Sequence, residues 1–439
     1  MSRCFVRKLV CRVAFWLCVP LCLAPSLHAG PPPLGPIPAE ASGPNIDPVA
    51  ATRAYLATVP AAAHARSDAY FEGGYWLILW NALLASAISL LLLNAGWSAR
   101  WRDKVAAVTD RLFLRTILYA VIYVLVTWLL SFPLSAYQDF FREHQYNMAT
   151  QNFGEWFVDQ LKALLVSLIF VPLLIGALYA VFRRSPRFWW LWGGAVVTAF
   201  LILGIAIAPV FIEPIFNKYI PLNDPALSEP ILAMARANQI PVKNVYVVDA
   251  SRQTKRVSAN VSGILGSARI ALNDNLINRC SLQEIRQVMA HEMGHYVLNH
   301  IYKLILENAC VFVAMFALAK IIFDAAVRRY GLQWEVTGIA DPAGLPLLAL
   351  IFTVLFFLYT PIGNSLVRET EAEADSFGIN TSREPDGFAQ SALKLGEYRK
   401  LEPGPIEEFI FFDHPSGRAR IMKAMEWKAA HLPTGGPTP

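Results

Sequence analysis

The sequence predicts a mainly α-helical, polytopic membrane protein with a small α/β region outside the membrane. Of its 439 residues, 55% are hydrophobic and only 16% are charged, whereas about a quarter of the residues in a soluble globular chain are usually charged. The mean hydropathy is +0.40. The net charge is only +5, and no basic run is interleaved with aromatic residues. These features exclude an ordinary soluble enzyme and make nucleic acid an unsuitable partner.

Six apolar stretches have the length of a membrane-spanning helix, which needs roughly 17 to 25 residues. They lie at 75–96, 115–137, 162–182, 188–212, 304–324 and 343–364. A seventh candidate at 13–29 follows a basic start, so residues 1–29 are either a cleaved signal peptide or a first membrane helix. The sequence therefore predicts six or seven membrane helices.

The apolar stretches divide the chain into further parts. Residues 30–73 contain a Pro-rich linker and an N-terminal segment, 74–211 hold four spans, and 304–367 hold two. The segments 212–303 and 368–439 lie on the same side of the membrane because two spans separate them. They are predicted to form one extramembrane domain.

The segment 212–303 has the pattern of a compact α+β unit. After a turn-rich start, it contains a predicted helix at 225–238, β-rich runs at 244–249 and 258–272, and a predicted helix from about 281. These elements predict a small β-sheet followed by a helix.

That last helix contains the stretch HEMGH. His291 and His295 are four residues apart, so they lie about 40° apart on one helical face and can bind the same metal ion. Glu292 lies between them, where it can act as a base on water. His300 lies roughly 180° around an unbroken helix and is expected to cap or anchor the helix instead. The third ligand must come from elsewhere in the chain.

An acidic stretch after the last span offers three candidates for that ligand. Glu369, Glu371 and Glu373 all occur in SLVRETEAEADSFG. Glu371 and Asp375 are four residues apart, so one carboxylate could bind the metal while the other orients a histidine ring. Spacing alone does not choose between the glutamates.

The pair of motifs HEMGH and R-x-x-E-x-x-x-D resembles the integral-membrane gluzincin metalloproteases, the family that contains the type I CAAX prenyl endoproteases and the bacterial heat-shock membrane protease. Three further segments resemble segments of this family in the same order: DPVAATRAYLATVP, PVFIEPIFNKYIPL and HPSGRARI. The resemblance is closer to the CAAX branch. It implies a zincin-like catalytic domain and spans that enclose a chamber.

The resemblance also implies roles for individual residues. One Zn2+ per chain is bound by His291, His295 and Glu371, and Glu292 is the general base. Asp375 and Arg368 support the ligands from behind. His414 and Arg420 contact the substrate and the transition state. The substrate strand lies at Ser258, Ala259 and Asn260, although the family usually shows Asn-Ala where this chain has Ser258-Ala259.

The predicted function is therefore zinc-dependent hydrolysis of peptide bonds in the membrane. The expected partners are the lipid bilayer and peptide or protein substrates, either lipidated C-terminal peptides or damaged membrane proteins in a quality-control role. The alternative is a membrane binding or transport protein with a structural zinc site, which predicts a closed four-ligand shell.

The orientation follows from the charges of the short loops. Nine basic residues lie on the side opposite the predicted domain, whereas one short loop on the domain side has only Arg142. The nine are Arg100, Arg102, Lys104, Arg111, Arg183, Arg184, Arg187, Arg328 and Arg329. Because basic loops stay in the cytoplasm, the catalytic side is predicted to be periplasmic, in a bacterial inner membrane. Eukaryotic members of the family are expected to show the reverse orientation.

Overall fold

The computed structural model describes residues 36–43, 45–263 and 268–431. The predicted signal peptide or first helix at 1–29 lies outside the described residues. Within them, six helices are long and apolar enough to cross a membrane: Ala61–Asn94, Leu112–Gln145, Phe153–Arg184, Trp189–Phe216, His300–Trp334 and Pro342–Ser382. Each of the six predicted spans coincides with one of these helices, although 75–96 ends two residues after Asn94 and 188–212 begins one residue before Trp189.

The helices are numbered α1 to α14 in chain order. The first six are α1 (Pro48–Ala57), α2 (Ala61–Asn94), α3 (Trp97–Ala106), α4 (Leu112–Ala136), α5 (Phe153–Arg184) and α6 (Trp189–Ile207). Those of the next segment are α7 (Pro225–Ala237), α8 (Asp274–Arg279) and α9 (Leu282–Val297). The last five are α10 (His300–Trp334), α11 (Leu345–Ser382), α12 (Pro385–Leu395), α13 (Pro405–Phe411) and α14 (Gly417–His431). Short α-helical, π-helical and 3-10 turns extend α4 and α6 and precede α11.

The membrane helices are longer than the bilayer is thick. At 1.5 Å per residue, the 38 residues of α11 extend about 57 Å, whereas the hydrocarbon core is about 30 Å thick. The excess length carries the C-terminal part of α11 directly out of the membrane and into the extramembrane domain. Leu129, Leu165 and Ile169 are largely exposed on α4 and α5, as expected for surfaces that face lipid.

A four-stranded sheet forms the base of the extramembrane domain. Its strands are β1 (Tyr219–Pro221), β2 (Val245–Val248), β3 (Ala259–Ser262) and β4 (Arg269–Asn273). Their order is β1-β2-β4-β3, so β3 is an edge strand. The β2 and β4 pair is parallel, and the other two pairs are antiparallel. The predicted β-rich run at 258–272 is therefore two strands that pair with each other.

Among the described residues, hydrophobic cores form both between the membrane helices and in the extramembrane domain. One lies between the membrane helices at the end remote from the domain, around Trp189, Tyr179 and Phe323, which are almost fully buried. The other packs the apolar face of α9 against α7 and the sheet, with Ile285 and Met289 against Ile270, Leu272 and neighbouring side chains. This second core fixes the position of α9, and therefore of its histidines.

Candidate active site

Helix α9 begins with a capping box that fixes its first turn. The Glu284 backbone N–H donates to Ser281 Oγ, and the Ser281 N–H donates to the Glu284 carboxylate. Such a box satisfies donors that have no partner inside the helix. Because Ile285, Met289 and other apolar residues of this helix are held in the core, the opposite side of α9 is available to face α11.

The donor atoms of His291, His295 and Glu371 converge between α9 and α11. The two Nε2 atoms are 3.2 Å apart. Glu371 Oε2 lies 3.2 Å from His291 Nε2, and Glu371 Oε1 lies 3.5 Å from His295 Nε2. These three residues form the group of potential metal ligands found among the described residues.

This arrangement suits a zinc ion. Tetrahedral zinc with ligands at about 2.0–2.1 Å places neighbouring donor atoms about 3.3 Å apart, which matches the observed separations. Within the described part of the chain, buried Glu371 Oε2 makes no well-aligned hydrogen bond, although the Nε2 atoms of His291 and His414 each lie 3.2 Å away. A buried carboxylate oxygen is seldom left without a partner, so a cation is a suitable occupant of this position.

Two glycines allow the helices that carry the ligands to approach closely. A Cβ on Gly378 would lie 3.0 Å from the backbone N and Cα of His291, and a Cβ on Gly294 would lie 3.3 Å from the Ala374 Cα. Real Cβ atoms rarely approach backbone atoms so closely. The distance between the two histidines on α9 and Glu371 on α11 therefore depends on the absence of a side chain at these two positions.

Asp375 holds the ring of His291 from behind. Its Oδ1 lies 2.9 Å from His291 Nδ1, which leaves Nε2 free to face the ligand cluster. Arg420 Nε donates to Asp375 Oδ2 at 2.9 Å, and its Nη2 donates to Oδ1. This edge of the guanidinium is therefore paired with Asp375, and the predicted contact of Arg420 with the oxyanion stays a prediction. Arg420 nevertheless lines the adjacent cavity.

His300 does not have the helix-capping position expected for it. Helix α9 ends at Val297, and Asn299 adopts a left-handed conformation with φ 59° before α10 begins. This break turns His300 back toward the site, where its Nδ1 lies 2.9 Å from His295 Nδ1. Its Nε2 lies 2.9 Å from Glu373 Oε2, and the side chain is only 2% exposed.

The three candidate glutamates differ in the side chains that they contact most closely. Glu371 faces the two ligand histidines, Glu373 contacts His300, and Glu369 accepts a hydrogen bond from Lys303 Nζ at 2.9 Å. The structure therefore favours Glu371 as the third ligand, which the spacing of the sequence had left open.

A cavity of about 240 Å³ opens beside the ligands. Its lining includes Ser258, Ala259, Glu292 and His414. Burial raises the pKa of Glu292 to about 7. Burial, together with the neighbouring His291, lowers the pKa of His295 to about 4. A neutral imidazole is the form that binds a metal.

His414 lies on the other side of the ligand cluster. Its Nε2 is 3.2 Å from Glu371 Oε2, and its Nδ1 is 2.7 Å from Asp413 Oδ1. Arg399 Nη2 lies 3.4 Å from the same Nε2. Asp413 and Arg399 are not among the site residues predicted from the sequence, although the D-H-P order places a carboxylate directly before the histidine.

Arg368 lies away from the ligands and supports the approach to His414. Its Nη1 donates to the carbonyl oxygens of Glu408, at 2.9 Å, and Phe412. It therefore fixes the segment that leads to His414, and it makes no hydrogen bond to the ligand trio among the described residues. The predicted support of a metal ligand by Arg368 stays a prediction, and the contacts observed for this side chain are with the backbone of the segment before His414.

The predicted substrate strand borders the cavity only in part. Ser258 and Ala259 line the cavity, and the Ser258 N–H donates to Asn273 Oδ1 at 3.1 Å. Asn260 is not in this lining. Its buried Oδ1 has no partner within the described residues.

Comparisons with known proteins agree with this architecture. Residues 50–218 match a family model described as CAAX prenyl protease N-terminal, five membrane helices, and residues 221–428 match Peptidase family M48. A Bacillus subtilis relative, "Uncharacterized metalloprotease YhfN", is 31% identical over 76% of this chain and 79% of its own length. "CAAX prenyl protease 1" of Saccharomyces cerevisiae is 28% identical over 67% of this chain and 68% of its own length.

The fold is also similar to a solved structure. The crystal structure of S. mikatae Ste24p superposes with a TM-score of 0.71 at 20% identity, over 84% of this chain and 89% of that one. This similarity confirms the predicted fold class.

Proposed function

This chain belongs to peptidase family M48 and is an integral-membrane metalloprotease, and we propose that it hydrolyses peptide bonds with one zinc ion bound by His291, His295 and Glu371. The predicted family and enzyme class are confirmed, and the alternative of a transport protein with structural zinc is not supported. The convergence of three donor groups, with Glu292 beside them in the cavity, carries the proposal.

His291, His295 and Glu371 would hold the ion, which would supply Lewis acidity for the hydrolysis when it is bound. Glu292 takes a proton from the attacking water and transfers it to the nitrogen of the leaving amine. Asp375 and Arg420 keep the His291 ring oriented during these steps, since they hold its Nδ1 side.

His414 is the proposed donor to the oxygen that becomes negatively charged. Asp413 holds its Nδ1, so Nε2 is directed into the cavity, where it can donate when it carries a hydrogen. A preorganised donor at such a position stabilises the transition state. Arg420 acts through Asp375 instead, as a positioning residue.

The substrate is proposed to bind as an extended peptide along β3. This strand is at the edge of the sheet, and its first residue lies in the lining of the cavity. Backbone pairing at Ser258–Asn260 would be largely indifferent to side-chain sequence. Several relatives are named CAAX prenyl proteases, so we propose a membrane-associated or lipidated C-terminal peptide as the first substrate class.

Two comparisons test this assignment of substrate. Purified enzyme should cleave a farnesylated C-terminal peptide faster than the same peptide without the lipid. Equal rates would favour general membrane-protein quality control. Proteomic comparison of cells that carry the active enzyme or Glu292→Gln would then identify the accumulating substrates.

The catalytic side is proposed to face the periplasm of a bacterial cell membrane. The nine basic residues listed above lie in α3, in the last turns of α5 and α10 or in the adjoining connections, at the end of the membrane helices opposite the catalytic side. The match to a Bacillus subtilis protein supports a bacterial source. In intact cells, a cysteine introduced at Arg100 should resist a membrane-impermeant thiol reagent. Ready labelling there would reverse the orientation.

The variant Glu292→Gln tests the mechanism. It keeps the size of the side chain but removes the base, so the purified variant should retain one zinc ion per chain and lose about 10²- to 10⁴-fold in kcat. Glu371→Gln, in contrast, should lose zinc. If Glu292→Gln retains zinc and cleaves at the wild-type rate, Glu292 is not the base.

A further inference from the structure

We propose that His300 is a positioning residue for His295, and that a relay from Glu373 through His300 fixes which ring nitrogen of His295 faces the metal. The proposal rests on the function proposed above, because it requires His295 to be a metal ligand. It gives a role to a histidine that the sequence pattern placed outside the site.

The relay is a continuous chain of short contacts. Glu373 Oε2 lies 2.9 Å from His300 Nε2, and His300 Nδ1 lies 2.9 Å from His295 Nδ1. The other ring nitrogen of His295, Nε2, lies 3.2 Å from His291 Nε2. Both nitrogens of His300 therefore have a partner, and both belong to the same line of contacts.

Which ring nitrogens carry hydrogen atoms along this line follows from the carboxylate of Glu373. An ionised carboxylate can only accept, so His300 Nε2 carries the hydrogen that it donates to Glu373. In the neutral ring, His300 Nδ1 is then an acceptor, and His295 Nδ1 donates to it. The lone pair of His295 is thereby left on Nε2, which is the nitrogen that faces the ligand cluster. The reverse order would place a hydrogen on Nε2 and block binding.

The surroundings of the relay hold its outer end in place. Lys303, one turn after His300 on α10, lies 3.3 Å from Glu373 Oε1 and 2.9 Å from Glu369 Oε1. The His291 side of the site has the same construction, with a carboxylate, Asp375, held by a cation. Each ligand histidine is thus linked to a carboxylate that a basic side chain holds in place. Asp375 contacts His291 directly, whereas Glu373 is linked to His295 through the ring of His300.

A burial requirement alone does not explain this arrangement. A histidine that merely fills space at a helix start needs no acceptor facing a ligand ring, and a buried imidazole costs free energy unless both nitrogens are satisfied. Partners that orient a metal-binding histidine typically change metal affinity about 10- to 100-fold when they are removed.

The test is a zinc titration of the purified full-length protein against a competing chelator, with wild type, His300→Leu and His300→Asn. His300→Leu removes the acceptor and should weaken zinc binding at least about tenfold. His300→Asn restores an amide oxygen that can accept from His295 Nδ1, so its affinity should return to within about threefold of wild type. The visible absorption of the cobalt-substituted protein should change in His300→Leu and recover in His300→Asn.

Two further variants control for folding and for local charge. Glu373→Ala removes the carboxylate from a largely exposed position, so it should fold normally and still weaken zinc binding several-fold. Glu369→Gln changes a neighbouring carboxylate that contacts Lys303 but does not contact His300, and it should bind zinc like wild type. Melting temperatures of the zinc-free proteins report any general loss of stability.

The outcomes separate the relay from the site itself. Unchanged affinity in both His300→Leu and Glu373→Ala would overturn the relay, as would equal losses in His300→Leu and His300→Asn. If Glu371→Gln also bound zinc like wild type in the same titration, the proposed metal site would be wrong, whatever the result for His300.

Discussion

Replacing Gly378 by alanine should disturb the metal site more than it disturbs the fold. The new Cβ would lie 3.0 Å from the backbone N and Cα of His291, compared with 3.4–4 Å for ordinary contact. Backbone atoms cannot rotate away as the end of a side chain can. Helices α9 and α11 must therefore separate by about half an ångström where Gly378 meets His291. Gly378 lies about two helical turns after Glu371 on α11.

The two effects on stability largely offset each other. Inserting a methyl group into a close-packed contact costs about 1–3 kcal/mol, whereas alanine gains about 1 kcal/mol over glycine in a helix interior. The net loss should be at most about 2 kcal/mol. Geometry is less tolerant, since a misplacement of about 1 Å can lower a catalytic rate about 100-fold.

We therefore expect Gly378→Ala to lower the melting temperature by only a few degrees and to lower both zinc affinity and kcat at least about tenfold. Zinc titration, peptide cleavage and thermal melting on the same preparation measure the three quantities. Gly74→Ala is the matched control, because no atom lies within 4 Å of the added Cβ. Wild-type zinc affinity in Gly378→Ala would refute the argument that this glycine sets the spacing of the ligands.

Three other predictions follow from the same contacts. Asp375→Ala leaves Arg420 buried without its partner and should lower the free energy of unfolding by about 3–5 kcal/mol. Glu402→Ala breaks an exposed ion pair and should lower it by less than about 1 kcal/mol. Chemical denaturation of the two variants measures the difference. Arg368→Ala frees the segment before His414, so kcat should fall about tenfold while the zinc content measured by atomic absorption stays constant. Phenanthroline should abolish cleavage of an extended peptide by the wild type, and added zinc should restore it; cleavage that resists the chelator would contradict a metal-dependent mechanism.

The sequence could predict those parts of the site that depend on one helix. His291 and His295 share a face because they are four residues apart, and that relationship requires no knowledge of the fold. The choice among Glu369, Glu371 and Glu373 depends on which face of α11 meets α9. Residues two apart on a helix point about 200° apart, so Glu369 and Glu373 share the side that faces Lys303, and Glu371 lies on the other side.

The sequence could not predict His300 because its position depends on a break in the chain. The expectation of an unbroken helix placed it roughly opposite His291. Asn299 instead takes a left-handed conformation and starts a new helix. Asparagine tolerates this conformation better than most residues, so an Asn directly before the histidine was the available signal. Similarly, the paired carbonyls that engage Arg368 come from a segment 40 residues later, which no local pattern indicates.

The charges of the site indicate why a dication suits it and why Glu292→Gln should keep the metal. Asp375 and Arg420 form a buried ion pair in which each side chain neutralises the charge of the other. Glu371 and Glu292 remain as two carboxylates in one low-dielectric region, where like charges repel strongly. An ion of charge +2 balances both. Removing the charge of Glu292 leaves His291, His295 and Glu371 intact as ligands and also removes a competing anion. Zinc retained with activity lost is therefore the expected combination, whereas removing Glu371 deletes both a charge and a donor atom.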